Sequence, residues 1–158
     1  MSAYNFEGRN KVFKLTKNKA AKFMATIKSE YNGGLRTSAT HVKSGNQFLT
    51  DAPLDNNGKG ETFSPTDTVA AALGSCMMTV MAIAGEKEGI DLTGMHLETT
   101  KVMSATLPRK IAALKVEFFW DNCPLNEEKR EWLKDVGRNC PVALSLHSNL
   151  RQEINFHF

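Results

Sequence analysis

Residues Ser64 to Gly85 read SPTDTVAAALGSCMMTVMAIAG, the longest apolar run in the chain, with Cys76 at its middle. Serine caps helices well, and Pro65 suits a first helical position, where no amide hydrogen is needed. Asp67 falls in the first turn, where the positive end of the helix dipole favours an anion. From Val69 to Ala84 every position is apolar or small, which predicts a helix buried on every side. The small residues Ala70, Ala71, Ala72, Gly74 and Ser75 leave room for the close approach of another backbone, such as a second helix. Glu86-Lys87-Glu88-Gly89 ends the run, with Gly89 as its C-terminal stop.

On the N-terminal side, the densest basic cluster (Arg9, Lys11, Lys14, Lys17, Lys19, Lys22) reads as a solvated edge. Phe23 to Ile27 reads as a strand, and Asn32-Gly33-Gly34 as a turn between strands. Leu35 to Val42 alternates and predicts a second strand, with a short third at Gln47 to Thr50. Asp51 to Gly60, DAPLDNNGKG, is turn-rich and reads as a surface loop. On the C-terminal side, Met95 to Met103 and Lys110 to Trp120 alternate as a strand pair around Thr106-Leu107-Pro108-Arg109. Asn126 caps a helix running to about Arg138, and Cys140-Pro141 starts a second short one, VALSLHSN. Arg151 to Phe158 alternates through Ile154, Phe156 and Phe158 as a last strand. Separate runs of strands and helices predict an α+β fold with a largely antiparallel sheet.

The 158 residues fit one domain, 1–158, with 41% hydrophobic and 23% charged residues, as in ordinary globular chains. A formal net charge of +3 is too weak and too evenly spread for nucleic acid. The first residues carry no apolar signal-peptide core. The apolar run is interrupted at Gly74, Ser75 and Thr79 and reads as shorter than the ~20 residues of a membrane span. These features point to a cytoplasmic protein without a membrane partner, and three cysteines imply no disulfide scaffold.

The chemistry rests on those cysteines. Inside an apolar helix, Cys76 reads as inert packing unless a cation is delivered to it, because burial alone raises a thiol pKa. Cys140, at a helix N-terminus, is by local physics the better thiolate. Cys123, between Asn122 and Pro124, reads as a bystander, and its spacing to Cys140 matches no zinc pattern. The histidines His41, His96, His147 and His157 form no ligand pair by spacing. Gly58-Lys59-Gly60 lacks the spacing of a phosphate loop, and Gly74-Ser75-Cys76 is not a serine nucleophile elbow. No cofactor is implied.

Together, SPTDTVAAALGSCMMTVMAI and, with Cys140 lying 64 positions after Cys76, NCPVALSL resemble the two cysteine motifs of the OsmC/Ohr family of thiol-dependent peroxidases. LRTSATH and TDAPLDNNGKGE are closest to its general OsmC-like branch. The resemblance covers roughly Gly34 to the C-terminus. It implies an OsmC-like fold in an intertwined homodimer, with two central helices back to back. It also implies reduction of hydroperoxides, preferentially organic ones. Cys76 would be oxidised to a sulfenic acid, Cys140 would close a disulfide on it, and an external dithiol would reset the pair. The family holds its thiolate with an arginine from the early strands, and Arg36 is the positional match. The family's peroxidases often place a glutamate ten residues before the first cysteine. Here that residue is Thr66, with Asp67 beside it as either a substitute or a partner of the helix dipole only. Arg109 is a further candidate cation. The alternatives are a redox sensor, or a non-catalytic relative binding an apolar small molecule between Phe63, Met77, Met81 and Trp120.

Overall fold

The computed structural model describes residues 24–158. The basic cluster and Phe23 lie outside the described residues. Three strands, β1 (Ile27–Gly33), β2 (Arg36–His41) and β3 (Gln47–Asp51), form an antiparallel sheet. The first strand therefore starts where the predicted FMATI segment ends, and it runs into the turn. Gly33 and Gly34 both have positive φ, which glycine adopts without a Cβ clash. A 3₁₀ turn, Leu54–Asn56, lies in the loop that leads to α1 (Pro65–Lys87).

The start of α1 follows its sequence closely. The Ser64 side chain accepts from the Asp67 amide, and the Asp67 carboxylate accepts from the Ser64 amide, closing a capping box. Beyond it, β4 (His96–Met103) and β5 (Ile111–Phe119) pair antiparallel. Then come α2 (Glu127–Arg138), capped by Asn126, and α3 (Pro141–Ser145), capped by Cys140. The last strand, β6 (Arg151–His157), lies parallel to β5. That pairing follows from α2 and α3, which form the crossover that parallel neighbours require. The second short helix is briefer than VALSLHSN suggests. It stops at Ser145, and His147 is exposed in the turn beyond it.

The core sits between α1, α2 and α3 on one side and the β4–β5–β6 sheet on the other. Leu73, Met77, Met81, Leu114, Val116, Phe118 and Leu133 are fully buried there. Helix α2 approaches α1 at Gly137, where a Cβ would lie 2.7 Å from Met81 Sδ. Two expectations need correction. First, α1 is not buried on every side within its own chain. Ala70, Leu73, Gly74, Met77, Met81 and Gly85 face the core, whereas Ala71, Ala72, Ser75, Thr79 and Ile83 are exposed. Among the described residues, elements pack on only one side of it. Second, α1 is not too short for a membrane: its 23 residues are long and apolar enough to cross one by length and composition. Its core face instead packs on α2, α3 and β4.

Candidate active site

The long helix and the short one bring two thiols together. Cys76 projects from the middle of α1, partly buried against the core cluster to which Cys140 belongs. Cys140 sits at the N-terminus of α3, which packs on α1. Its Sγ accepts a hydrogen bond from the Ala143 amide at 3.3 Å. Burial pushes the Cys140 thiol up, the Ala143 amide pulls it down, and the neighbouring Cys76 thiol pushes it up again. The net direction is upward. The thiolate preference expected of a helix-terminal cysteine is therefore outweighed, since Cys140 is buried and α3 is only one turn long. Cys123 belongs to neither element, and its carbonyl accepts from Arg130 Nη2 at 3.2 Å.

Arg36 is not brought to these thiols within one chain. On β2 it pairs with Asp51, Nε to Oδ1 at 2.6 Å and Nη2 to Oδ2 at 2.7 Å, and its Nη2 also reaches Glu61. The Asp51 carboxylate accepts a third bond from the Glu61 amide at 3.1 Å. Asp51 is 1% exposed, although the sequence placed it at the head of a surface loop. Hydrogen bonds from Arg36 hold its carboxyl below the usual carboxylate range against the opposing effect of burial. Those to Asp51 and then Glu61 drive the Arg36 guanidinium further up, so it stays protonated at any working pH.

Asp67 is likewise engaged away from Arg36. Its carboxylate accepts from Ser64 Oγ at 2.6 Å and pairs with Lys101 Nζ at 2.8 Å. The same ammonium donates to Thr66 Oγ1 at 2.8 Å and Ser64 Oγ at 3.1 Å. Lys101, from β4, thus occupies the space beside Thr66, and nothing in its local sequence distinguishes it from a solvated strand residue. Partial burial pushes Asp67 up, but the hydrogen bonds from Lys101 and Ser64 outweigh it and leave the net shift downward. A depressed carboxyl stabilises the fold above its unfolded pKa of ~3.9, and that contribution disappears as pH falls through the lower folded value. The difference in thermal midpoint between wild type and Asp67→Asn should therefore be present at about pH 6 and vanish towards about pH 2. A gap that persists at the acid end would contradict the ion pair.

Arg109 pairs with Asp55 at 2.8 Å and lines a cleft of about 350 Å³ with Tyr31, Thr37, Thr50 and Thr66. Phe63 lies apart from Met77, Met81 and Trp120. The two methionines and Trp120 lie in the core, and Phe63 is exposed beside Phe48, Ala71, Ala72 and Ser75. Among the described residues no three metal-ligating side chains converge.

The sequence model of the OsmC-like protein family matches residues 58–155. Among solved structures, the chain is similar to a Psychrobacter arcticus 273-4 protein named as a proposed osmotic stress induced and detoxification response protein. They share 41% identity over 85% of this chain and 96% of that one, with a TM-score of 0.80. Two others show the same fold. One is an organic hydroperoxide resistance protein OsmC from Legionella pneumophila, 18% identical over 89% and 100% of the chains, with a TM-score of 0.65. The other is the organic hydroperoxide resistance protein OhrB of Bacillus subtilis, 19% identical over 84% and 98%, with a TM-score of 0.60. None of the curated proteins matches.

Proposed function

Because this chain belongs to the OsmC-like protein family, we propose that it reduces hydroperoxides, organic ones by preference, through Cys76 and Cys140. The observation that carries this reading is that α1 and α3 pack together and place Cys76 and Cys140, 64 residues apart in sequence, at one core cluster. The Cys76 thiolate attacks the terminal peroxide oxygen. The O–O bond breaks, and the alkoxide takes a proton and leaves as the alcohol. Cys76 is then a sulfenic acid, which the Cys140 sulfur attacks with loss of water to form a disulfide. An external dithiol reduces that bond by exchange and is itself oxidised. The organic hydroperoxide resistance named for the Legionella and Bacillus proteins supports the substrate class. Three cysteines without a disulfide framework in their number or spacing fit the reducing cytoplasm.

The working unit in this reading is a homodimer. The β1–β3 sheet packs sparsely on its own chain, and Phe48, Phe63 and Ile83 leave large apolar side chains exposed beside the small-residue face of α1. Two α1 helices back to back would cover that face, and Arg36 of one copy would supply the cation for Cys76 of the other. Ile83, 50% exposed in a single chain, tests the arrangement. Ile83→Glu would bury an unpaired carboxylate and should weaken the dimer by about thirty-fold or more, for a cost of ~2 kcal/mol. Sedimentation equilibrium of both proteins measures it, and an unchanged dissociation constant argues against helix-to-helix assembly.

The direct chemical test adds one equivalent of an organic hydroperoxide to the reduced protein and maps disulfides by mass spectrometry. A Cys76–Cys140 bond that is absent from Cys76→Ser supports the mechanism. Unmodified thiols at both positions refute it.

A further inference from the structure

Thr66 stands where the resemblance leads one to expect a glutamate, and Arg36 is held by Asp51 of β3. Thr66, at that position, carries no charge, and its hydroxyl accepts from Lys101. Arg36 and Asp51 are directly opposed across β2 and β3. The side chains next to them in register, Thr37 and Thr50, line the cleft towards the start of α1, as does Tyr31 from β1. Strand alternation therefore puts Arg36 and Asp51 on the other face, turned away from their own α1. The two-pronged pairing with a buried carboxylate fixes the plane of the guanidinium. It uses Nε and Nη2, and among the described residues Nη1 has no acceptor.

We propose that Asp51 is the positioning residue of this site, holding Arg36 so that its free Nη1 edge is presented to the Cys76 thiolate of a second copy. The inference rests on the peroxidase reading above. Glu61 plays a different part. It is largely exposed, its bond to Nη2 is solvent-screened, and as a second anion on one cation it opposes thiolate formation. Lys59 is the other charge bearing on Asp51, and it reinforces the ionised carboxylate. The two acids therefore have unlike roles: loss of Asp51 loosens the guanidinium, whereas loss of Glu61 leaves it in place and removes a competing charge.

The test follows alkylation of Cys76 by iodoacetamide against pH, in a Cys123→Ser/Cys140→Ser background where Cys76 is the one thiol, alongside the peroxide rate of the otherwise native chain. Asp51→Asn should raise the alkylation midpoint by about one pH unit and slow peroxide consumption near neutral pH about tenfold. Glu61→Gln should leave the midpoint unchanged or lower it. If Arg36→Gln leaves the alkylation profile unmoved, the reading of Arg36 as the thiolate's cation fails. If Arg36→Gln moves it and Asp51→Asn does not, the positioning role alone fails, as it does if Glu61→Gln raises the midpoint as much as Asp51→Asn. Should Asp51→Asn not fold, Arg36→Gln/Asp51→Asn, which removes the buried pair whole, is compared with Arg36→Gln. Equal profiles support action through Arg36, and a further shift in the double variant overturns it.

Discussion

Cys76→Ser is expected to lower the rate of organic hydroperoxide consumption by roughly a thousandfold or more, because a hydroxyl at neutral pH cannot replace the nucleophilic thiolate. Cys140→Ser should behave differently. Cys76 would still attack the first equivalent of peroxide and release one equivalent of alcohol. No disulfide could then close, so excess peroxide would carry Cys76 on to the sulfinic acid, seen as two added oxygens in the intact mass. Turnover with a dithiol should fall while the first, single-turnover phase survives. Cys123→Ser should change neither, since Arg130 holds that loop through the backbone carbonyl and not the thiol. The mechanism is wrong in its order of events if Cys140→Ser abolishes the first phase and Cys76→Ser does not.

The largest effect on stability is expected at Phe118. It is fully buried on β5, opposite Leu97 of β4 and Phe156 of β6, with its ring stacked on Phe156 at 5.0 Å between centroids. Phe118→Ala should cost about 3–5 kcal/mol, the transfer free energy of the ring plus the cavity it leaves. That is a large part of the 5–15 kcal/mol typical of a folded domain. Its neighbour Phe119 points to the outer face, where among the described residues its ring stacks against His96 and His157. Phe119→Ala should cost about 1 kcal/mol or less. Urea unfolding at one fixed protein concentration compares the two, the concentration being held because any dimer adds to apparent stability. Equal losses would mean that the sheet is not one-sided as described.

Helix ends and strand faces were legible in the sequence because their causes lie within a few residues. Ser64, Pro65 and Asp67 sit where an N-terminus needs an acceptor, a missing amide hydrogen and a negative charge, and the capping box forms as their order requires. Asn126 and Cys140 start α2 and α3 for the same kind of reason. Alternation through Leu114, Val116 and Phe118 marks the buried face of β5. Composition misled where burial depends on distant elements. Val69 to Ala84 is apolar all round, yet among the described residues only one side of it is covered. Asp51 looked like a turn residue, yet it is buried because Arg36 lies opposite it in register.

By itself, then, the sequence determined the elements, the faces of the later strands and, through two cysteine motifs, the family. What only the tertiary structure decided is what each charged or reactive group meets. Cys140 has the local setting of a stabilised thiolate, but burial beside Cys76 reverses the direction of its shift. Lys101 reaches from a strand to the first turn of α1, and Asp51 rather than Asp67 holds Arg36. Caps and alternation follow from backbone hydrogen bonds that close over three or four residues. Desolvation and ion pairing depend on groups that only chain folding brings within a few ångströms.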